Sequence, residues 1–156
     1  MVIFARVRGI PVWPILDAGA LFAAIGQPIG RIGNIVNGDV IGYATNVPWA
    51  TVYTHERAFA PQLGVPYHPA AAYSILAGLV LLAALYAAMR AHRPGLLFAT
   101  YLVGYSVTQF IVFFWRANSI TLWGLKQGQL SAIGVALVGV AVLVYLHRRE
   151  RDRTAA

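Results

Sequence analysis

Ala70–Met89, twenty consecutive residues without a charge, constrains this chain more than any other stretch. At about 1.5 Å of rise per residue, a helix of that length crosses the ~30 Å hydrocarbon core of a bilayer. Three more apolar runs accompany it, Ile15–Ile35, Leu96–Trp115 and Leu130–Leu146. A chain of 156 residues that is 59% hydrophobic and 11% charged is too apolar for a soluble domain of this size. These features read as an all-α, polytopic integral membrane protein, one domain with about four transmembrane helices.

The punctuation between the runs sets the rest. Gly9-Ile10-Pro11 breaks a short basic start, and Met1–Pro11 lacks the core and cleavage site of a secretory leader. Pro14 suits the first turn of a helix, and Asp17 suits the positive end of that helix's own dipole. Residues 42–69 read as an irregular loop broken by Pro48, Pro61, Pro66 and Pro69, with Trp49, Tyr53, Phe59 and Tyr67 as interfacial aromatics. Pro48–Tyr53 is a short strand or extended run. Residues 117–128 form a second loop. Gly134 and Gly139 permit close helix approach. The tail His147–Arg153 reads as polar and frayed.

The net charge of +7 sits in short runs between apolar segments, a topological pattern and not a nucleic-acid face. Eight arginines (6, 8, 90, 93, 148, 149, 151 and 153) share one set of helix ends, whereas Arg57, Arg116 and Lys126 occupy the opposite loops. By the positive-inside rule both termini are cytoplasmic and the loops 42–69 and 117–128 face outward. With no cysteine there is no disulfide, thiol nucleophile or thiolate-ligated metal.

Arg31, Asn34 and Gly38 lie three and four residues apart where the first apolar run ends. On a continuous helix they share a face, and a cation beside an amide near a membrane surface can hold an anionic headgroup. The bland alternative is an arginine snorkelling at a helix end. Because charge at membrane depth is costly, a functional role is the default. Arg31, Asn34, Asp39, His68 and Arg116 are scattered in sequence but converge near the outward surface.

The run Gly30-Arg31-Ile32-Gly33-Asn34-Ile35-Val36-Asn37-Gly38-Asp39-Val40-Ile41-Gly42 resembles the signature of the bacterial prolipoprotein diacylglyceryl transferase family, Gly-Arg-x-Gly-Asn-Phe-x-Asn-x-Glu-x-x-Gly. Arg8-Gly9-Ile10-Pro11 with Leu16-Asp17, His68-Pro69 with Tyr73, and Gly128-Gln129-Leu130-Ser131 resemble further family motifs in the same order. The resemblance implies a multi-pass enzyme of the bacterial inner membrane without metal or cofactor. Its partners would be phosphatidylglycerol and a prolipoprotein, and not nucleic acid. A diacylglyceryl group would pass to the lipobox cysteine. By motif position, Arg31, Asn34, Asp39 and His68 are the expected catalytic residues. Arg31, Asn37, Gly42, Gln109, Arg116 and Gln129 are the expected substrate-binding residues.

The departures are informative. Asp39 stands where the family has glutamate, and Ile35 where it has phenylalanine. In Gln109-Phe110-Ile111-Val112-Phe113-Phe114-Trp115-Arg116, Gln109 replaces an arginine and Phe113 a glutamate of the family's Arg-Phe-x-x-Glu-Phe-Phe-Arg. Losing a cation that faces a phosphate removes a charge-assisted hydrogen bond, about 1.5–3 kcal/mol. Four spans against the family's seven imply a C-terminal portion, with an N-terminal three-helix piece and its His-Gly-Gly motif elsewhere. His68 is then either a substitute base or a structural cap before Pro69. The alternative function is an inactive or split relative that binds anionic lipid and needs a partner chain.

Overall fold

In the computed structural model the described residues are 2–91 and 93–155; His92 and the Arg153 side chain fall outside that description. Five helices run α1 (Val2–Val7), α2 (Val12–Asn37), α3 (Ala70–Met89), α4 (Leu96–Val112) and α5 (Gln127–Ala155). Two short hairpin-like sheets interrupt them. β1 (Thr51–Val52) pairs antiparallel with β2 (Pro66–Tyr67), and β3 (Ile120–Leu122) with β4 (Leu125–Lys126). The protein is an all-α membrane protein. α2, α3 and α5 are long and apolar enough to cross a membrane, and α4 is a shorter apolar helix of 17 residues.

α2, α3 and α4 pack against one another, and α5 packs on α4. The buried centre is small: Ala24, Leu81 and Leu85, with Leu21, Leu97, Tyr101 and Tyr105 around it. Large apolar side chains such as Phe22, Val80 and Leu137 instead point outward. That inversion is expected where lipid tails, not water, surround the bundle. Close packing uses Gly139, whose position leaves only 2.8 Å to Val103 for an added Cβ. Gly134, expected to act likewise, faces open space.

Two expectations are corrected. Asp17 does not serve its own helix. It lies well inside α2, and its two carboxylate oxygens accept the N–H groups of Gly95 (2.6 Å) and Phe98 (2.8 Å). Asp17 therefore caps α4 across the bundle, satisfying donors that a helix start leaves orphaned. Nor does the tail fray: α5 continues through the basic run to Ala155, and Glu150 pairs with Arg93 at 3.0 Å. Arginine and glutamate are good helix formers, and this pair ties the extension to the α3–α4 turn.

These contacts define two ends. The terminal end gathers the start of α2, the α3–α4 turn and the basic stretch of α5. The site end gathers the α2 C-terminus, the loops and the α4–α5 connection.

Candidate functional site

α2 remains helical to Asn37 and ends on Gly38, whose φ of +72° and N–H bond to the Asn34 carbonyl close the helix. Arg31 and Asn34 thus share a face. Arg31 Nη1 donates to Asn34 Oδ1 at 3.1 Å, and Asn34 Nδ2 donates to Asp39 Oδ1 at 2.8 Å. An amide thereby links the cation to the carboxylate without letting them neutralise each other directly. Tyr53 reaches back from the loop, and its hydroxyl donates to the Ile35 carbonyl at 2.8 Å. Burial, and after it the Asp39 charge, raises the Tyr53 pKa.

The segment after Gly38 lies between two others. Gly42 N–H donates to the His68 carbonyl (2.9 Å), His68 N–H to Tyr43 (3.0 Å), and Tyr43 N–H to Trp115 (3.0 Å). A Cβ on Gly42 would lie 2.5 Å from His68 Cβ and 2.6 Å from the Trp115 oxygen. Only glycine fits this crossing, and the crossing fixes Arg116 beside the end of α2.

Arg31 and Arg116 line one cavity of about 290 Å³, together with Tyr105, Ser106, Gln109 and Ser131. The Arg116 guanidinium lies over the Phe113 ring at 4.4 Å, and its Nε is buried without a hydrogen-bond partner. Burial, and then the neighbouring Arg31 charge, presses the Arg116 pKa down against smaller opposing effects of Tyr105 and Asp39. Two guanidiniums facing one space, one with an idle donor, make a site for an anion.

The other expected residues sit differently. His68 lines a separate cavity of about 90 Å³ with Tyr53 and Tyr67. Its Nδ1 is 3.0 Å from the Tyr73 hydroxyl, which accepts the Trp49 indole N–H at 2.8 Å. Gln129 is buried; its Oε1 accepts Lys126 N–H at 3.0 Å and its Nε2 donates to the Phe110 carbonyl at 3.4 Å. The Asn37 side chain is exposed, while its carbonyl accepts Phe59 N–H at 2.9 Å.

Sequence reasoning missed Lys126. It is buried, with Nζ donating to the carbonyls of Phe113 and Arg116 (2.6 Å each) and Phe114 (3.4 Å), 4.7 Å from the Tyr43 ring centre. A compact ammonium has three donors for three carbonyls, which a planar guanidinium cannot match. The signal was present: Lys126 is the single lysine of a sequence otherwise provided with arginine.

The chain also matches known proteins in sequence. The family model described as prolipoprotein diacylglyceryl transferase matches residues 1–145. The phosphatidylglycerol–prolipoprotein diacylglyceryl transferase of Rhizobium leguminosarum bv. trifolii (strain WSM2304) is 35% identical over 161 residues, which cover 100% of this chain and 55% of the relative. The protein of the same name from Sinorhizobium medicae (strain WSM419) is 34% identical, with 100% and 56% covered. That from Geobacter sulfurreducens is 35% identical, with 91% and 54% covered. The chain spans about half the length of the curated relatives it matches. With the signature helix, the paired arginines and a family match over nearly its whole length, the chain belongs to the prolipoprotein diacylglyceryl transferase family.

Proposed function

We propose that this chain takes part in transferring a diacylglyceryl group from phosphatidylglycerol to the lipobox cysteine of a prolipoprotein. The observation that carries the reading is the pairing of Arg31 and Arg116 on one cavity, with the Arg116 Nε unpaired. The names of the relatives support the same substrates. The cysteine S–H bond and a C–O bond of the lipid are exchanged for an S–C thioether. Glycerol phosphate leaves with the oxygen, and the thiol proton passes to a base. Arg31 and Arg116 offset charge on the phosphate as the C–O bond breaks, and Gln109 adds a neutral donor. Asn34 and Asp39 orient Arg31. Asn37 and Gly42 shape the adjoining loop, and Gln129 acts by positioning Lys126 and the end of α4.

His68 lines the smaller, separate cavity, so it serves as the base only for a thiol seated on that side, and then only in one tautomer. If Nδ1–H donates to the Tyr73 oxygen, the Nε2 lone pair is free; if Tyr73 donates, Nε2 holds the proton and the ring is structural. In this proposal the membrane is the bacterial inner membrane and, by the arginine distribution, the terminal end is cytoplasmic. An N-terminal three-helix piece completes the site, a reading supported by the greater length of the relatives.

The test is diacylglyceryl transfer from phosphatidylglycerol to a lipobox peptide in detergent, with the chain alone and with the three-helix piece supplied in trans. The proposal expects transfer in at least one arm, reduced roughly tenfold or more by Arg31→Gln, as expected for loss of a charge-assisted bond. A folded chain inactive in both arms would contradict it.

A further inference from the structure

The terminal end carries a larger cleft that the transfer reaction does not use. It has a volume of about 530 Å³ and opens between the start of α2, the α3–α4 turn and α5. Its walls are apolar, including Trp13, Leu96, Leu143 and Leu146, and its rim carries Arg93, Arg149, His147 and Glu150. Trp13 stacks on Tyr145 with ring centres 6.1 Å apart, placing two amphipathic aromatics at this level.

The charges on the rim do not cancel. Arg93 pairs with Glu150 at 3.0 Å, but both side chains remain about half exposed, 58% and 43% respectively. Such a pair is weak and open to a competing anion. Arg149 adds a second cation, with no further carboxylate among the residues lining the cleft. The backbone amides nearby are taken, because Asp17 occupies those of Gly95 and Phe98. An anion here must therefore be held by side chains above an apolar wall.

We propose that this cleft binds one anionic phospholipid of the adjoining leaflet. Arg149 and Arg93 hold its phosphodiester, and an acyl chain lies along Leu96, Leu143 and Leu146. Seated so, the lipid would join α5 to α2 and to the α3–α4 turn, at the opposite end from Arg31 and Arg116. Zwitterionic lipids fill the apolar wall as well but neutralise the rim with their own ammonium.

Trp13 reports occupancy, because the other three tryptophans, Trp49, Trp115 and Trp123, lie in the loops of the site end. The full chain is placed in nanodiscs containing rising fractions of acyl-brominated phosphatidylglycerol or acyl-brominated phosphatidylcholine. The Trp13 component is the quenching lost on Trp13→Phe. Half-quenching is expected at a several-fold lower fraction of the anionic lipid, about fivefold per engaged cation. Arg149→Gln, an exposed position on a solvated helix end, should lower that preference about fivefold, and high salt should lower it further. Equal curves for the two lipids would overturn the proposal. So would a preference that Arg149→Gln leaves intact, or a Trp13 shielded from both lipids by a protein segment.

Discussion

Lys126 and Arg116 divide the work of the site end between them. Lys126 spends its charge on backbone carbonyls, and one of those belongs to Arg116. The Arg116 Nε is left buried without a hydrogen-bond partner, which is what the proposed anion site needs. Lys126→Met should leave two short carbonyl bonds unsatisfied and destabilise the protein by about 2–4 kcal/mol, measured by denaturant unfolding in detergent. Lys126→Arg should not restore stability fully, since the fork cannot reach three carbonyls of one turn. Tyr53 gives a pH signature. Its folded pKa is raised, so the folded state keeps the phenolic proton longer than the unfolded state does. Stability from this group is present below about pH 10, the unfolded value, and falls as pH rises through the folded pKa. Alkaline thermal denaturation should therefore show a loss above about pH 10 that Tyr53→Phe diminishes.

At the scale of elements, helix length explains the caps. α4 has 17 residues, about 26 Å, shorter than the ~30 Å apolar core. Its ends cannot both reach water, so the protein supplies partners: Asp17 for the N–H groups and Lys126 with Gln129 for the carbonyls. Asp17→Ala should cost about 2 kcal/mol or more, with Asp17→Asn recovering part of it, as measured by unfolding or by exchange of the Gly95 and Phe98 amides. The apolar helices were legible from the sequence because composition alone specifies them; Ala70–Met89 is read residue for residue in α3. The partner of Asp17 was not legible, because Gly95 and Phe98 lie 78 and 81 residues away and no periodicity links them. The persistence of α5 to Ala155 was hidden for a similar reason, since its stay, Arg93, lies on another element.

Across the whole molecule, two amphipathic clefts occupy opposite ends of one apolar bundle. The site end was readable in outline, because Arg31, Asn34 and Asp39 fall on one helix end where spacing determines geometry. What joined Arg31 to Arg116 was not readable, because it depends on the three-segment crossing at Gly42, where backbone bonds between distant residues set the distance. His68, placed with the site by sequence depth, lines a different cavity. The central claim is that Arg31 and Arg116 hold one lipid phosphate jointly. A double-mutant cycle tests it most directly: phosphatidylglycerol binding by native mass spectrometry for the Arg149→Gln chain, alone and with Arg31→Gln, Arg116→Gln and both. Joint binding predicts that each single change weakens affinity about tenfold or more and that the pair costs clearly less than the sum, a coupling of roughly 1 kcal/mol or larger. Strictly additive losses, or an Arg116→Gln chain that binds as tightly as its parent, would contradict it.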